Sequence, residues 1–130
     1  MEGRPITLYG DGKQVRDILF VDDLVEAFLL AREKIASLAG NAFNIGGGPQ
    51  NTTSLLELMR CIELINGAPP HVAWGAWRPG DQRYYVTDYR KFQLATGWQP
   101  RVGVEEGVRR LHTWLRDAHA QPSPCLAAIA

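Results

Sequence analysis

Strand-like and helix-like patterns alternate along this chain, but the strand-like segments are few and short. Pro5 to Tyr9, Gln14 to Val21 and His71 to Trp77 have the composition of strands. Ala42 to Ile45 reads as a fourth, largely apolar strand that enters the turn Gly46-Gly47-Gly48. A strand of this kind is typical of a parallel sheet covered on both faces, so it needs a neighbour on each side. The sequence therefore predicts an α/β fold that lacks part of its own sheet.

About four amphipathic helices are predicted in the remaining sequence, because apolar residues recur there at helical spacing. They run from Asp22 to Ile35, from Ser54 to Asn66, from Asp88 to Gly97 and from Val104 to Ala118. Aspartates cap free N–H groups and suit the positive end of the helix dipole, which is the role we expect for Asp22 and Asp23. Ser54 and Glu57 have the spacing of a capping box.

Length and composition favour a single domain whose overall charge produces no strong electrostatic field. The 130 residues carry 14 basic and 14 acidic side chains, so nothing in the overall charge recruits nucleic acid or a membrane surface. No apolar stretch has the length of a membrane span and no signal peptide is recognisable, which predicts a cytoplasmic protein. We expect one region over residues 1–120 and a flexible tail over residues 121–130. Neither cysteine and no histidine has metal-ligand spacing, so no metal site is predicted.

The loop from Trp77 to Tyr85 is the strongest candidate for a binding site. Pro79-Gly80 forms a turn that brings the side chains of Arg78 and Asp81 toward one region. The guanidinium offers donors to a phosphate and the carboxylate offers acceptors to sugar hydroxyls. A mutual salt bridge that rigidifies the loop explains the spacing equally well.

Arg16 lies in the middle of the second predicted strand, and two interpretations are open. It pairs with Asp17 or another carboxylate, or it reaches toward an anion that its planar guanidinium can hold with two hydrogen bonds. Taken alone, the ion pair is favoured. Tyr9 and Tyr85 could stack on a base or donate a hydrogen bond, although isolated aromatic residues more often belong to a core.

Four motifs, in this order and spacing, resemble the C-terminal part of nucleotide-sugar epimerases and dehydratases, which are extended short-chain dehydrogenase/reductases. The motifs are Val15 to Leu24, Phe43 to Gly48, Arg78 to Gln82 and Gly97 to Pro100. The resemblance runs from about Pro5 to Arg116, and within the family it is strongest to the CDP-paratose 2-epimerase group. It implies a C-terminal fragment of that fold, lacking most of the Rossmann sheet.

The resemblance also implies a substrate, a nucleotide-diphosphate sugar that is CDP- or UDP-linked. Tyr9 falls where the family places a residue against the base, and Thr7 lies beside it in the same strand. Tyr85 matches a position that approaches the nucleotide, and Thr53 lines the same pocket.

Three further residues are implied by the same resemblance. Arg16 and Arg78 match the two arginines that hold the diphosphate, and Asp81 matches the carboxylate near the ribose. At Ile18 this chain departs from members that carry a tyrosine, and the isoleucine side chain makes no polar contact.

The catalytic machinery of the family is not found in the sequence. Family members bind NAD through an N-terminal glycine-rich turn and move protons with a Tyr-x-x-x-Lys pair. Only Tyr9 has a lysine four positions on, and Gly10-Asp11-Gly12 places that lysine beyond a turn rather than on an adjacent helical face. Gly46-x-Gly48 matches a dinucleotide-binding turn only in part, since Asn51 stands at the third glycine position, so close packing on neighbouring backbone is favoured.

The sequence thus predicts no catalytic residues in this chain, with NAD implied for the complete enzyme only. Three hypotheses follow: a substrate-binding segment that is inactive alone, a non-catalytic module that binds nucleotide-diphosphate sugars, and a structural fragment that self-associates. A homo-oligomer is expected, because the strand at Ala42 to Ile45 would leave a bare edge and bare faces. The base, the sugar and the reaction, which is 2-epimerisation, 4-epimerisation or dehydration, stay open.

Overall fold

The computed structural model describes residues 4–120, and the tail predicted for residues 121–130 lies outside the described residues. The fold is α/β, as predicted, with short strands and five α-helices within the described residues. The elements, in chain order, are β1 (Ile6–Tyr9), β2 (Val15–Asp17), α1 (Val21–Glu33), α2 (Ile35–Leu38), β3 (Thr52–Ser54), α3 (Leu55–Asn66), β4 (Val72–Gly75), β5 (Tyr84–Tyr85), α4 (Arg90–Thr96) and α5 (Val104–Ala120). A 3₁₀ turn, Pro49–Asn51, precedes β3.

The strands form two small sheets. β1 and β4 pair in parallel, and β2 lies between β3, which is antiparallel to it, and β5, which is parallel. The prediction of a strand at Ala42 to Ile45 is wrong, because the structure has no strand there. A strand needs a neighbour for its backbone groups, and no strand within residues 4–120 lies beside this segment. Phe43 and Ile45 instead pack on the core as irregular chain.

An aromatic cluster forms the centre of the core. Tyr89, Phe92 and Trp98 are buried, and their rings meet edge to face at centroid distances of 5.6 Å (Tyr89–Trp98) and 5.8 Å (Phe92–Trp98). The indole N–H of Trp98 donates to the carbonyl oxygen of Asp23 at 3.1 Å, which satisfies the one polar atom of the ring. The Gly97-Trp98-Gln99-Pro100 motif therefore ties the end of α4 to α1.

Helix α3 begins at the predicted capping box. The Ser54 hydroxyl accepts from the backbone N–H of Glu57, and the Glu57 carboxylate accepts from the backbone N–H of Ser54 at 2.7 Å. The same carboxylate also accepts from the Ser54 hydroxyl at 2.7 Å. The backbone N–H bond and the hydroxyl bond that the carboxylate accepts hold the pKa of Glu57 below its ordinary value. Gly67 ends the helix in the left-handed conformation, as its position after Asn66 predicts.

The capping role predicted for Asp22 and Asp23 is wrong. Both lie in the first turn of α1, where acidic side chains suit the helix dipole, but neither makes a side-chain cap bond. The carboxylate of Asp23 is buried and accepts the backbone N–H groups of Arg101 (3.1 Å) and Val102 (3.0 Å). Those two N–H groups belong to a loop without secondary structure, where no helix or sheet supplies an acceptor, so the buried carboxylate accepts from them rather than from the start of its own helix.

None of the helices within residues 4–120 combines the length and the apolar composition that a membrane crossing requires.

Candidate functional site

Three of the predicted site residues stand side by side in the three-stranded sheet. Arg16 of β2 is in register with Thr53 of β3 and with Tyr85 of β5. Residues that pair directly across strands project from the same face of a sheet. Arg16 therefore lies between Thr53 and Tyr85 on one face, although the three positions are distant in sequence.

The ion pair favoured for Arg16 is not formed in the described residues. Its guanidinium donates to two backbone carbonyl oxygens, that of Val15 at 2.7 Å and that of Gln82 at 2.6 Å. The neighbouring Asp17 points to the opposite face, as alternation along a strand requires, and its carboxylate accepts the backbone N–H of Gly48 at 2.8 Å. Arg16 is thus a half-buried cation held by neutral acceptors.

Arg78 and Asp81 form the salt bridge that was one of the two interpretations of their spacing. Nε of Arg78 lies 3.2 Å from Oδ2 of Asp81, and the guanidinium carbon lies 4.4 Å from the ring centroid of Tyr9. The contact uses only Nε, so the two terminal NH₂ groups of Arg78 make no hydrogen bond within residues 4–120. One face of the Tyr9 ring is covered by this cation.

Two glutamines that the sequence did not single out join these groups into one region. The carbonyl oxygen of Gln82, next to Asp81, accepts the bond from Arg16. The side-chain amide of Gln14 donates to the carbonyl oxygen of Tyr9 at 2.8 Å and ties the end of β1 to the start of β2. Bonds to backbone carbonyls leave no signature in residue spacing, which is why neither glutamine was predicted.

The two threonines have more limited roles in the geometry. Thr7 and Tyr9 share a face of β1 and both lie over Gly75 of β4, where an added methyl group would come within 2.8 Å of the Tyr9 ring and 3.5 Å of the Thr7 methyl. The hydroxyl of Thr53 donates to the carbonyl oxygen of Ser54 at 3.2 Å. Thr7 therefore packs beside Tyr9, and Thr53 carries a hydroxyl that is already hydrogen-bonded.

The region is an open surface rather than an enclosed pocket. Tyr9 is 38% exposed and Tyr85 47% exposed, and the side chains of Arg78 and Asp81 are 62% and 28% exposed. A ligand could reach each of these groups, but these residues alone would leave much of it in contact with water. Two guanidinium groups and one carboxylate suit a diphosphate with a hydroxyl-rich neighbour.

The glycine-rich turn does not fit a dinucleotide. A methyl group added at Gly46 would overlap the hydroxyl of Thr87, and one at Gly47 would overlap the carbonyl oxygen of Ile18. The backbone N–H of Gly48, the kind of donor that a pyrophosphate needs, is already bonded to Asp17. The prediction of a turn that packs closely on neighbouring backbone is confirmed. Within residues 4–120, this turn therefore offers no space and no free Gly48 N–H for the pyrophosphate of NAD.

The Tyr-x-x-x-Lys spacing at Tyr9 does not form a catalytic pair in the structure. Gly10 and Gly12 have φ values of 89° and 74°, so Tyr9 and Lys13 are separated by the predicted turn and do not share a helical face. Within residues 4–120, no group of three or more His, Cys, Asp or Glu residues could hold a metal ion.

Comparison with known proteins relates the chain to one enzyme family. Residues 1–46 match the sequence model of the NAD dependent epimerase/dehydratase family. The chain is 37% identical over 111 residues to CDP-paratose 2-epimerase from Salmonella typhi, covering 85% of this chain and 33% of that protein. It is 36% identical over 124 residues to dTDP-glucose 4,6-dehydratase from Haemophilus influenzae, covering 86% of this chain and 36% of that protein.

A solved structure shows the same fold. The UDP-glucuronic acid 4-epimerase from Bacillus cereus, in complex with UDP-glucuronic acid and NAD, superposes with a TM-score of 0.81 at 26% sequence identity. The match covers 90% of this chain and 37% of that structure. The chain therefore spans about a third of the length of the relatives it matches.

Proposed function

Since this chain belongs to the NAD-dependent epimerase/dehydratase family, of which it represents a C-terminal part, we propose that it is the substrate-binding segment of a nucleotide-sugar epimerase or dehydratase and is inactive alone. The region through residue 120 would act as one nucleotide-sugar-binding unit. The cytoplasmic location predicted from the sequence belongs to the same proposal. A CDP-linked substrate is favoured only by the similarity to a CDP-sugar enzyme, while the solved relative holds a UDP-sugar.

The observation that carries the proposal is the pair of arginines whose charges are only partly neutralised. Arg16 contacts carbonyl oxygens, and Arg78 keeps both terminal NH₂ groups without a hydrogen bond inside the described range. A half-buried cation without a carboxylate partner favours an anion from outside the chain. Charge-assisted hydrogen bonds to a diphosphate would neutralise the remaining positive charge of both guanidinium groups.

The remaining residues define where the rest of the substrate would lie. Asp81, beside Arg78, offers a carboxylate oxygen to a ribose hydroxyl, and Tyr85 borders the same face as Arg16. Because Arg78 covers one face of Tyr9, a base would approach the other face or the edge of that ring. These groups bind and orient a nucleotide sugar but supply no hydride.

NAD would be held by protein outside this chain. The glycine-rich turn is filled by Thr87, Ile18 and Asp17, so no step of the reaction is assigned to NAD bound there. We therefore expect no epimerase or dehydratase turnover from the purified chain with added NAD. Measurable turnover would contradict the assignment.

A second candidate function is a module that binds nucleotide-diphosphate sugars without any reaction. The open surface, with both tyrosines more than a third exposed, supports weak binding by this chain alone. Both candidates require the same binding surface, and they differ in whether an NAD-binding part accompanies it.

Calorimetric titration of the chain with UDP and CDP tests the shared requirement. The Arg78→Ala variant should bind at least about 10-fold more weakly, since a hydrogen bond to a charged group contributes ~1.5–3 kcal/mol. Arg109→Ala is the matched control, because Arg109 is paired with Glu105 and Glu106 on α5. Equal affinity of all three proteins, or no binding to either nucleotide, would overturn the proposal.

A further inference from the structure

A cavity of about 690 Å³ lies at the start of β1, away from the surface around Tyr9 at the end of that strand. Part of its wall is apolar and consists of Ile62 and Ile65 of α3 together with Ile6 of β1. Three residue steps along β1 separate Ile6 from Tyr9, which is about 10 Å. The volume is that of a small-molecule site, for which roughly 300–1,000 Å³ is usual.

Four basic side chains line the same cavity. Arg4 and His71 precede β1 and β4, and His112 and Arg116 lie one turn apart on α5. Within residues 4–120, no aspartate or glutamate lines this cavity. Because basic and acidic residues are equal in number over the whole chain, this grouping is a local feature and favours an anion.

His112 occupies a position on α5 where the helical pattern places apolar residues. Val108 and Leu115 flank it at helical spacing, and all three residues are half-buried. Neither the His112 ring nor the His71 ring has a hydrogen bond, an ion pair or a ring contact with any residue of the described range. A half-buried polar ring without a partner costs stability, so its nitrogens favour a ligand that enters the cavity.

Arg116 adds a guanidinium group that is largely available. Its Nε lies 3.7 Å from Oδ1 of Asp117, and because the two side chains are 68% and 65% exposed, this ion pair is weak. Its terminal NH₂ groups make no hydrogen bond in the part of the chain that the structure describes. A phosphate monoester presents three acceptor oxygens and a charge of roughly −1.5 to −2 at pH 7, which suits these donors better than the two oxygens of a carboxylate.

We propose that this cavity is a second ligand site, which binds a phosphate monoester with an apolar body. His112 and Arg116 donate to the phosphate oxygens, and Ile62 and Ile65 contact the apolar body. The site is separate from the surface that carries Arg78, and it goes beyond the proposed function.

An NMR titration of the full chain with phenyl phosphate, observing the imidazole nitrogens, tests this site. Saturable shifts should appear in the rings of His71 and His112, while the amide of Tyr9 should not shift. Inorganic phosphate lacks the apolar body and benzyl alcohol lacks the charge, so each should bind at least about 5-fold more weakly. The absence of a saturable shift of the His112 ring would overturn the proposal. Displacement of phenyl phosphate by UDP would assign the cavity to the nucleotide and also overturn it.

Two substitutions measure the contribution of the basic side chains. His112→Leu, which keeps an apolar volume on the helix, and Arg116→Gln should each weaken phenyl phosphate binding at least about 5-fold and leave the affinity for UDP unchanged. Arg109→Gln is the matched control, because Arg109 lies on the same helix, is paired with Glu105 and Glu106 and does not line the cavity. Circular dichroism verifies that the variants are folded.

The converse experiment keeps this site distinct from the proposed function. Arg78→Ala should bind UDP more weakly and phenyl phosphate as the wild type does. Unchanged affinity for phenyl phosphate in both His112→Leu and Arg116→Gln would overturn the second site and leave the nucleotide-binding surface unaffected.

Discussion

The guanidinium of Arg16 donates to the carbonyl oxygen of Gln82 at 2.6 Å, and this bond fixes the central strand of the small sheet to the loop that carries Arg78 and Asp81. Sixty-six positions separate the two residues in sequence. The bond places both arginines in one region and uses one nitrogen of Arg16. A bound diphosphate would therefore meet two cations that the fold has already positioned.

Replacing Arg16 should separate binding from folding. Arg16→Gln removes the charge but keeps an amide that can donate to a carbonyl oxygen, so the free energy of unfolding should change by less than about 1 kcal/mol. The affinity for UDP or CDP should fall about 10- to 100-fold, because the bonds lost are charge-assisted. Calorimetry and urea denaturation measure the two effects. A large loss of stability with unchanged affinity would make Arg16 a structural residue only.

Asp23 should be one of the most sensitive positions for stability. Its buried carboxylate accepts the backbone N–H groups of Arg101 and Val102, and Asp23→Ala would leave both donors without a partner. We expect the free energy of unfolding to fall by about 2 to 4 kcal/mol in urea denaturation. The adjacent Asp22→Ala is the control, since that side chain is 71% exposed and should cost less than about 0.5 kcal/mol. Similar losses in both variants would contradict this role.

The glycine turn should tolerate no side chain at its centre. A Cβ at Gly47 would overlap the backbone carbonyl oxygen of Ile18, which cannot move away as a side chain can. Gly47→Ala should therefore reduce the free energy of unfolding by about 1 to 3 kcal/mol, measured by chemical denaturation. Nothing lies within 4 Å of a Cβ at Gly103, so Gly103→Ala should cost less than about 1 kcal/mol. Equal stability of the two variants would contradict the close approach of Gly47 to the carbonyl oxygen of Ile18.

The ion pair of Asp88 with Arg90 should make stability depend on acid pH. Two guanidinium bonds, at 2.9 Å and 2.6 Å, and the backbone N–H of Arg90 lower the pKa of Asp88 from its ordinary 3.8 to about 2. Asp88 is therefore protonated at a lower pH in the folded state than in the unfolded state. The stabilisation is present above pH 3.8 and is lost as the pH falls toward 2.

Thermal melting between pH 2 and pH 5 measures this effect against Asp88→Asn. The wild type should melt higher at pH 5, and the difference should disappear near pH 2. The side chain is exposed and the effect should be small, so salt should reduce it further. A constant difference across this pH range would show that Asp88 acts by packing rather than by charge.

Local patterns in the sequence predicted local structure well. The capping box of Ser54 and Glu57 and the end of α3 at Gly67 depend on residues within one turn of each other, and both are confirmed. The salt bridge of Arg78 and Asp81 was one of two open interpretations, and the turn between them forms it.

Partners distant in sequence could not be predicted. Asp23 was expected to cap its own helix, but its carboxylate meets donors 78 and 79 positions away. Arg16 was expected to find a carboxylate, but the fold brings the Gln82 carbonyl to it. The segment Ala42 to Ile45 was expected to be a strand with bare faces, but Phe43 and Ile45 pack on the core, and the Phe43 ring meets that of Phe92 at a centroid distance of 5.5 Å.

The central claim is that the sheet face and the loop form one nucleotide-binding surface. An amide-detected NMR titration of the uniformly ¹⁵N-labelled chain with UDP tests it most directly. Saturable shifts should appear together at Arg16, Thr53 and Tyr85 on the sheet and at Tyr9 and Asp81 beside it. Shifts confined to the turn at residues 46–48, or no saturable shifts at all, would contradict the account.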